Sequence, residues 1–298
     1  MKIAIGASSF AASSDKGINM LTKRGIEVIE NPYGRKLTLE ETIQHLEGAD
    51  GLLAGLEPLN EEVFSRAVKL KAIARIGIGM DNVDQEAAKR HGIRVSNTPD
   101  APTEAVAEMA LAALLTIGHA IIPSNTDMHN KIWKKRIGFS LQGLNVLLIG
   151  YGRIGRRFAQ HLKNLGSNIF IYDPYQPEVS EKNLLEAIKK ADVITMHAAG
   201  KEEIFTDQHF AAVRDGVVVL NCARGGLINE DALFTNLNNG KVSCYWGDLF
   251  PQEPYEGKLL SCENAILTPH ISTYNAQCRE AMEMEAVKNL LEDLGYVG

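Results

Sequence analysis

Short apolar runs alternate with amphipathic stretches along almost the whole chain. Runs of four or five apolar residues predict buried β-strands, because a strand covered on both faces shows little polar alternation. The pattern predicts a first series of strands at residues 2–6, 27–30, 51–54, 72–75 and 94–96. It predicts a second series at residues 145–149, 168–172, 193–196, 217–220, 243–246 and 265–267.

Helical patterns occupy the segments between these strands. They are predicted at residues 39–46, 61–68, 83–90, 154–165, 181–190 and 275–294. A longer pattern, rich in Ala, Leu and Met, covers 103–120 after a break that contains Pro99 and Pro102. Strands and helices in regular alternation predict parallel sheets with helices on both faces. The two series therefore predict an α/β protein of two domains, each with a doubly wound parallel sheet.

Composition and charge exclude several classes of protein. The 298 residues are 45% hydrophobic and 23% charged, which is ordinary for globular domains and enough for two of them. A net charge of −6 gives no long-range attraction for nucleic acid or anionic membranes. The N-terminal apolar run breaks at Gly6, too early for a signal peptide, and no run approaches the roughly 20 residues that cross a bilayer. We expect a cytoplasmic protein without nucleic-acid or membrane partners.

The four cysteines are far apart and form no CxxC motif. Free thiols in a reducing compartment fit this pattern best, although one disulfide is compatible with it. No His, Cys or carboxylate cluster has the spacing of metal ligands, so we expect no metal site.

A glycine motif follows the first strand of the second series. An apolar strand runs into Gly150, Gly152 and Gly155 at the GxGxxG spacing. The first glycine suits the tight turn, the second the approach of a pyrophosphate, and the third the packing of helix on strand. The next strand ends at Asp173, 23 positions after Gly150, where an acidic residue accepts hydrogen bonds from the adenosine ribose. No Arg follows Asp173, so the motif predicts NAD rather than NADP.

Three further residues each follow a predicted strand of the second series: Arg224, Glu253 and His270. Ligands bind at the carboxyl ends of such strands. Alone, each residue has an ordinary structural interpretation, as a surface ion pair, a solvated loop residue or a helix cap. Together they suit hydride transfer to a 2-keto acid. A guanidinium binds the substrate carboxylate, an imidazolium donates a proton to the carbonyl oxygen, and a carboxylate stabilises that imidazolium.

These motifs together resemble the D-isomer-specific 2-hydroxyacid dehydrogenases, and most of all the phosphoglycerate dehydrogenase group. The resemblance rests on the segments at 74–84, 97–99, 106–108, 150–155, 221–226, 248–254 and 268–271. It implies a Rossmann NAD-binding domain over 99–272, inserted into a flavodoxin-like substrate domain formed by 1–98 and 273–298. It also implies that the trio of Arg224, Glu253 and His270 is catalytic.

The same resemblance extends to the binding residues and to a partner. It implies further cofactor contacts from Arg153, Ile154, His197, Cys222, Ala223 and Asp248. It implies that a loop of the substrate domain offers backbone N–H groups to the substrate carboxylate, with Arg75, Ile76, Gly77 and Ile78 as its contact residues. The helix at 103–120 and the arm after it resemble the dimer contact of the family, so we expect a homodimer.

Departures from the family pattern bear on the substrate and on the cofactor contacts. Ala54 stands where phosphoglycerate dehydrogenases carry an Arg that meets phosphate, and no segment like their C-terminal regulatory domain follows residue 298. Both points favour hydroxypyruvate, glyoxylate or another small 2-keto acid over 3-phosphoglycerate. The segment 198–201 after His197 is shortened and lacks the usual Pro, which leaves the contacts around His197 open.

Two alternative functions use the same fold. One is an NAD-sensing regulatory or corepressor-like protein, which can retain the trio; the lack of a disordered extension argues against it. The other is a dehydrogenase acting on formate or phosphite. Formate enzymes of this fold usually carry Gln at the position of Glu253, which argues against that activity here.

Overall fold

The computed structural model describes residues 1–200 and 202–296. Its strands are β1 (Lys2–Ile5), β2 (Glu27–Ile29), β3 (Gly51–Ala54), β4 (Ala72–Arg75), β5 (Arg94–Asn97), β6 (Asn145–Ile149), β7 (Asn168–Tyr172), β8 (Val193–Met196), β9 (Val217–Asn221), β10 (Val242–Gly247) and β11 (Ala265–Leu267). Its helices are α1 (Lys16–Thr22), α2 (Leu39–His45), α3 (Glu61–Arg66), α4 (Gln85–Arg90), α5 (Pro102–Gly118), α6 (Ile121–His129), α7 (Arg153–Asn164), α8 (Leu184–Ile188), α9 (Asp207–Ala212), α10 (Glu230–Asn238) and α11 (Ala276–Asp293). Every strand lies within one residue of its predicted limits.

The helices depart further from the sequence pattern. The pattern at 103–120 forms α5, but Ala120 then adopts a left-handed φ of 50° and α6 begins, bent by 58° from α5. The pattern at 181–190 forms only the short helix α8, because Asn183 caps its N-terminus by accepting a hydrogen bond from the backbone of Glu186. The helices α1, α6, α9 and α10 are not among the helices that the sequence pattern predicts.

The chain divides into two compact units. The first comprises Met1–Pro102 and Thr273–Gly298, and the second comprises Thr103–Ser272. The sequence predicts these boundaries at 98/99 and 272/273. The first predicted boundary lies four residues before the boundary in the structure, and the second coincides with it.

The first unit is built on a five-stranded parallel sheet. Its order is β2-β1-β3-β4-β5, the arrangement found in flavodoxin-like folds. The inner strands are apolar because helices cover both faces, and residues such as Leu52, Leu53 and Ile73 are no more than 1% exposed. Helix α11, from the C-terminal part of the chain, packs against β3, β4 and β5.

The second unit is built on a six-stranded parallel sheet. Its order is β11-β10-β9-β8-β6-β7, so the chain reverses direction across the sheet between β6 and β8. Helix α5 packs on one face through Ala107, Ala110 and Leu114, in a core that contains Phe158 and Trp246. In the described residues the segment between β7 and β8 forms α8 and adds no strand outside β7. Compared with the doubly wound order 3-2-1-4-5-6, the sheet lacks the outermost strand on the β7 side and has one more strand, β11, at the opposite edge.

Both sheets confirm the predicted class of two doubly wound α/β units. Among the described residues, no single helix is long and apolar enough to span a membrane; only α5 and α6 taken together, across their bend, reach that length and composition.

Candidate active site

The carboxyl ends of β9, β10 and β11 lie side by side. Gly247, at the end of β10, pairs in register with Asn221 of β9 and with Leu267 of β11. The loops that follow these strands therefore start at the same edge of the sheet. They carry Arg224, Glu253 and His270 respectively.

His270 and Glu253 form a hydrogen-bonded pair. The Nδ1 atom of His270 lies 3.0 Å from Oε2 of Glu253, and the two side chains are 36% and 33% exposed. The other carboxylate oxygen accepts a hydrogen bond of 3.2 Å from the backbone of Phe250. Because Nδ1 is occupied by the carboxylate, Nε2 is the nitrogen of His270 that can exchange a proton with a substrate.

The loop that carries His270 is strained and is tied to a buried carboxylate. His270 has a φ of 52°, a left-handed conformation that costs a non-glycine residue about 1–3 kcal/mol. Asp248 is fully buried, and its carboxylate accepts hydrogen bonds from the Thr268 hydroxyl, from Ile271 N–H at 3.0 Å and from Ser272 N–H at 2.9 Å. Donors on both sides of His270 thus fix its backbone.

Arg224 stands on a loop that Asn221 shapes. The fully buried Asn221 amide accepts from Ala223 N–H at 3.1 Å and donates to the Arg224 carbonyl at 2.8 Å. The half-buried Arg224 donates from Nη1 to the Ala223 carbonyl at 2.7 Å. At Gly225, a side-chain carbon would lie 2.1 Å from the carbonyl carbon of Phe250. Only glycine lets this loop approach the loop that bears the carboxylate partner of His270.

His197 and Cys222 follow the neighbouring strands β8 and β9 and contact each other. The Cys222 sulfur lies 3.4 Å from Nδ1 of His197, whose Nε2 is 3.0 Å from the Thr195 hydroxyl and whose ring packs on Phe158. Burial lowers the pKa of His197 to about 3 and raises the pKa of the Cys222 thiol to about 12. Both groups are neutral at physiological pH, so the thiol is not activated as a nucleophile with the imidazole as its base. The pair instead suits a neutral lining for a cofactor pocket.

The glycine motif provides the space that a pyrophosphate requires. Gly150 has a φ of 96°, and a side-chain carbon there would lie 2.4 Å from backbone that follows β8. At Gly155 the same carbon would lie 2.5 Å from the Gly150 carbonyl oxygen, whereas at Gly152 nothing lies within 4 Å. Helix α7 begins with Arg153 and Ile154 and has no side-chain cap. Its first N–H groups suit a phosphate, so these residues fit a dinucleotide.

Asp173 ends β7 beside this motif and is 8% exposed. Its carboxylate accepts from Tyr151 N–H at 2.8 Å, from Tyr175 N–H at 3.0 Å and from the Gln176 amide at 3.0 Å. A carboxylate has about four acceptor positions, which leaves capacity for a ribose hydroxyl. Arg156 is also close to this site, because it donates hydrogen bonds to the Tyr151 carbonyl and to the side chain of Gln176.

The predicted substrate loop follows β4 in the first unit. Ile76 N–H donates to a carbonyl of β3 and Gly77 N–H to the Thr98 hydroxyl, so these two donors are engaged. The N–H groups of Ile78 and of the glycine after it have no acceptor among residues 1–200 and 202–296. Arg75 donates to the Ile76 carbonyl. The loop therefore offers two donors for an anion.

Comparison with known proteins assigns the chain to a family. The model of the D-isomer specific 2-hydroxyacid dehydrogenase NAD binding domain matches residues 111–272. The hydroxypyruvate reductase of Thermotoga maritima is 34% identical, over 92% of this chain and 96% of its own length. The chain belongs to the D-isomer-specific 2-hydroxyacid dehydrogenases. This confirms the predicted NAD-dependent oxidoreductase and its cofactor, and these relatives give no support for an NAD-sensing regulator.

Two further relatives of the dehydrogenase bear on its size and fold. The D-3-phosphoglycerate dehydrogenase of Methanocaldococcus jannaschii is 35% identical over 89% of this chain, but the chain covers only 54% of that relative. The chain thus spans about half the length of this phosphoglycerate dehydrogenase. The crystal structure of the TT0316 protein from Thermus thermophilus superposes with a TM-score of 0.89 at 32% identity, covering 99% of this chain and 97% of that one.

Several residues that support the site in the dehydrogenase were not identified from the sequence. They are the hydrogen-bonding partners around the trio and around Asp173: Arg156, Gln176, Asn221, Thr268 and Ser272. For Asn221 a signal existed, because it is a polar residue at the end of an otherwise apolar strand. No group of three metal-ligating side chains occurs within the described part of the chain.

The neutral state of His197 makes a prediction about acid stability. A pKa of about 3 in the folded state, against about 6.5 in the unfolded chain, means that the unfolded state takes up the proton first as the pH falls. This component of stability is complete above pH 6.5 and declines toward pH 3 by up to about 1.4 kcal/mol per unit. We expect His197→Gln to lose less unfolding free energy than wild type between pH 6.5 and 4.5, measured by urea titration.

Equal slopes for wild type and His197→Gln would show that His197 is not held in the neutral form.

Proposed function

We propose that the dehydrogenase reduces a small, unphosphorylated 2-keto acid of the hydroxypyruvate or glyoxylate type, with Arg224, Glu253 and His270 as catalytic residues. The observation that carries this proposal is the 3.0 Å hydrogen bond between His270 and Glu253. These residues follow β11 and β10, and β10 lies next to β9, the strand that precedes Arg224. This arrangement supplies a proton donor and an anion-binding cation together.

Arg224 binds the substrate carboxylate. A guanidinium presents paired N–H donors that match both carboxylate oxygens, which orients the keto group as well as holding the anion. Asn221 fixes the backbone of this loop, so the guanidinium starts from a defined position. In the first unit, the loop after β4 has two backbone N–H groups, those of Ile78 and the next residue, that suit an anion.

His270 moves the proton. The bound cofactor would supply the hydride as NADH in reduction and accept it as NAD⁺ in oxidation. As negative charge develops on the substrate carbonyl oxygen, Nε2 of His270 donates a proton to it, and in the reverse direction Nε2 takes the hydroxyl proton. Glu253 stabilises the positive charge on the ring and orients it through Nδ1. Asp248 holds the strained backbone under His270, so it acts as a positioning residue beside the cofactor wall of His197, Cys222 and Ala223.

The preference for an unphosphorylated substrate is based on one position of the first unit, Ala54. Ala54, at the end of β3, is apolar and fully buried, so this position offers no cation to a phosphate group. The similarity to the hydroxypyruvate reductase of Thermotoga maritima over nearly its whole length supports the same choice. We assign the first unit to substrate binding, within a cytoplasmic enzyme.

We also propose a homodimer formed through the arm, defined here as residues 119–139. The arm exposes a set of large apolar side chains: Ile121 at 51%, Ile122 at 45%, Met128 at 55%, Ile132 at 49%, Trp133 at 81% and Ile137 at 100%. Contiguous apolar exposure of this kind marks protein contact sites. A second copy of the chain, packing its own arm and α5 against this surface, would cover them.

The activity prediction follows from the assigned roles. Wild type should oxidise NADH with hydroxypyruvate or glyoxylate, measured by nicotinamide absorbance, and should prefer NADH to NADPH. Arg224→Gln and His270→Gln should each lower kcat/KM by about 10²–10⁴-fold, the range for a general acid or its equivalent. Both variants should keep NADH binding, measured by fluorescence, since neither side chain is needed to hold the dinucleotide. Near wild-type turnover in either variant would contradict the role assigned to that residue.

The dimer prediction uses the most exposed residues of the arm. Replacing Trp133 and Ile137 together by Asp should convert the protein to a monomer in light scattering after size exclusion, because charge is costly in an apolar contact. Val68→Asp is the matched control, since Val68 is 85% exposed but lies outside the arm. A wild-type monomer, or a dimer that persists in the double variant, would refute the assignment of the arm.

A further inference from the structure

The sequence has no Arg directly after Asp173, but the fold brings one close to it from another element. Arg156 lies in the first turn of α7, the helix that follows the glycine motif. It donates from Nη2 to the side-chain oxygen of Gln176. The nitrogen of the same amide donates to Oδ2 of Asp173 at 3.0 Å. A single amide group therefore links the guanidinium to the carboxylate.

The backbone of Tyr151, within the glycine motif, anchors all three side chains. Its N–H donates to Oδ2 of Asp173 at 2.8 Å. Its carbonyl accepts from Nε of Arg156 at 3.0 Å and from Nε2 of Gln176 at 2.7 Å. The Tyr151 ring also lies 5.5 Å from the guanidinium carbon, within the range of a cation–π contact. These contacts hold the guanidinium beside the carboxylate that the sequence predicts as the acceptor for the adenosine ribose.

Arg156 forms no ion pair within the part of the chain that the structure describes. The next residue of α7, Arg157, differs from it, because Arg157 pairs with Glu104. Arg156 is exposed, and both of its hydrogen-bond acceptors are neutral oxygens. A guanidinium with only neutral partners keeps its attraction for an anion, and it matches the geometry of a phosphate.

We propose that Arg156 is a specificity-determining residue of the cofactor site, held next to Asp173 by Gln176, and that it would bind the 2′-phosphate of NADP once residue 173 carries no charge. A phosphate group carries close to two negative charges, so the Asp173 carboxylate repels it and NAD is preferred. Arg156 offsets part of that repulsion. The strength of the preference for NAD therefore depends on the balance between these two side chains. The inference concerns the dinucleotide alone and does not rest on the proposed substrate or on the catalytic trio.

The test measures the dissociation constants of NADH and NADPH by nicotinamide fluorescence, without any substrate. Asp173→Asn keeps the size of the side chain and an acceptor for the backbone N–H groups, but removes the charge. We expect it to bind NADPH about tenfold or more tightly than wild type, because pairing with Arg156 replaces repulsion. Adding Arg156→Gln should abolish most of this gain. Adding Arg157→Gln, the matched control on the same helix, should leave the gain intact.

The single variants give a second comparison that does not involve residue 173. Arg156→Gln in the wild-type background should weaken the binding of NADPH more than that of NADH, and the difference should shrink at high ionic strength because salt screens charges. Arg157→Gln should leave the ratio of the two dissociation constants as in wild type. If Asp173→Asn does not fold, this comparison decides the proposal.

Three outcomes would overturn the inference. The first is an equal gain for NADPH in Asp173→Asn with and without Arg156. The second is no gain in folded Asp173→Asn, because Asp173 would then not face the ribose. The third is an equal loss of NADH and NADPH binding in Arg156→Gln, which would assign Arg156 to the pyrophosphate common to both. Failure of the proposed catalytic activity would change none of these binding constants, so the two proposals are tested separately.

Discussion

The hydrogen bonds to the carboxylate of Asp248 are the constraint on which the proposed site depends. His270 occupies a left-handed conformation that its side chain does not favour, and no helix or strand holds it there. The buried carboxylate accepts from donors on both sides of it, at Thr268, Ile271 and Ser272. Asp248 directly follows β10, and the register of the sheet places the end of β10 beside the end of β9. The hydrogen bonds of Asp248 therefore tie the backbone around His270 to the edge of the sheet. Glu253, on the same loop as Asp248, then sets which ring nitrogen is available.

The electrostatics of the two units follow one rule, that charge appears only where a partner or solvent accommodates it. In the second unit, burial keeps His197 and Cys222 neutral, which leaves the trio as the groups proposed to act on the substrate. In the first unit, the buried carboxylate of Glu57 lies against the backbone N–H of Gly55, and burial raises its pKa. The proposed mechanism therefore rests on where the fold tolerates an ion.

Sequence reasoning predicted the fold well because parallel strands covered on both faces leave an unambiguous apolar signal. Strand limits were accurate to one residue for this reason, whereas short helices such as α9 and α10 were missed. The trio could be predicted because each member follows a predicted strand, and the resemblance to a family pointed to the same three residues. Contacts between residues far apart in the sequence could not be predicted. For example, Arg156 in the first turn of α7 donates a hydrogen bond to Gln176, which follows β7. Glu57, on the loop after β3, is fully buried, although nothing in the sequence pattern indicates it.

The most direct test of the central claim is a crystal structure of the enzyme with NAD and a non-reactive 2-keto acid analogue such as oxamate. We expect the analogue carboxylate to accept two hydrogen bonds from the Arg224 guanidinium and its carbonyl oxygen to lie within hydrogen-bond distance of Nε2 of His270. The Nδ1 atom should keep its bond to Glu253. An analogue whose carbonyl oxygen is bound by another residue, with His270 out of reach, would contradict the assignment of His270 as the group that moves the proton.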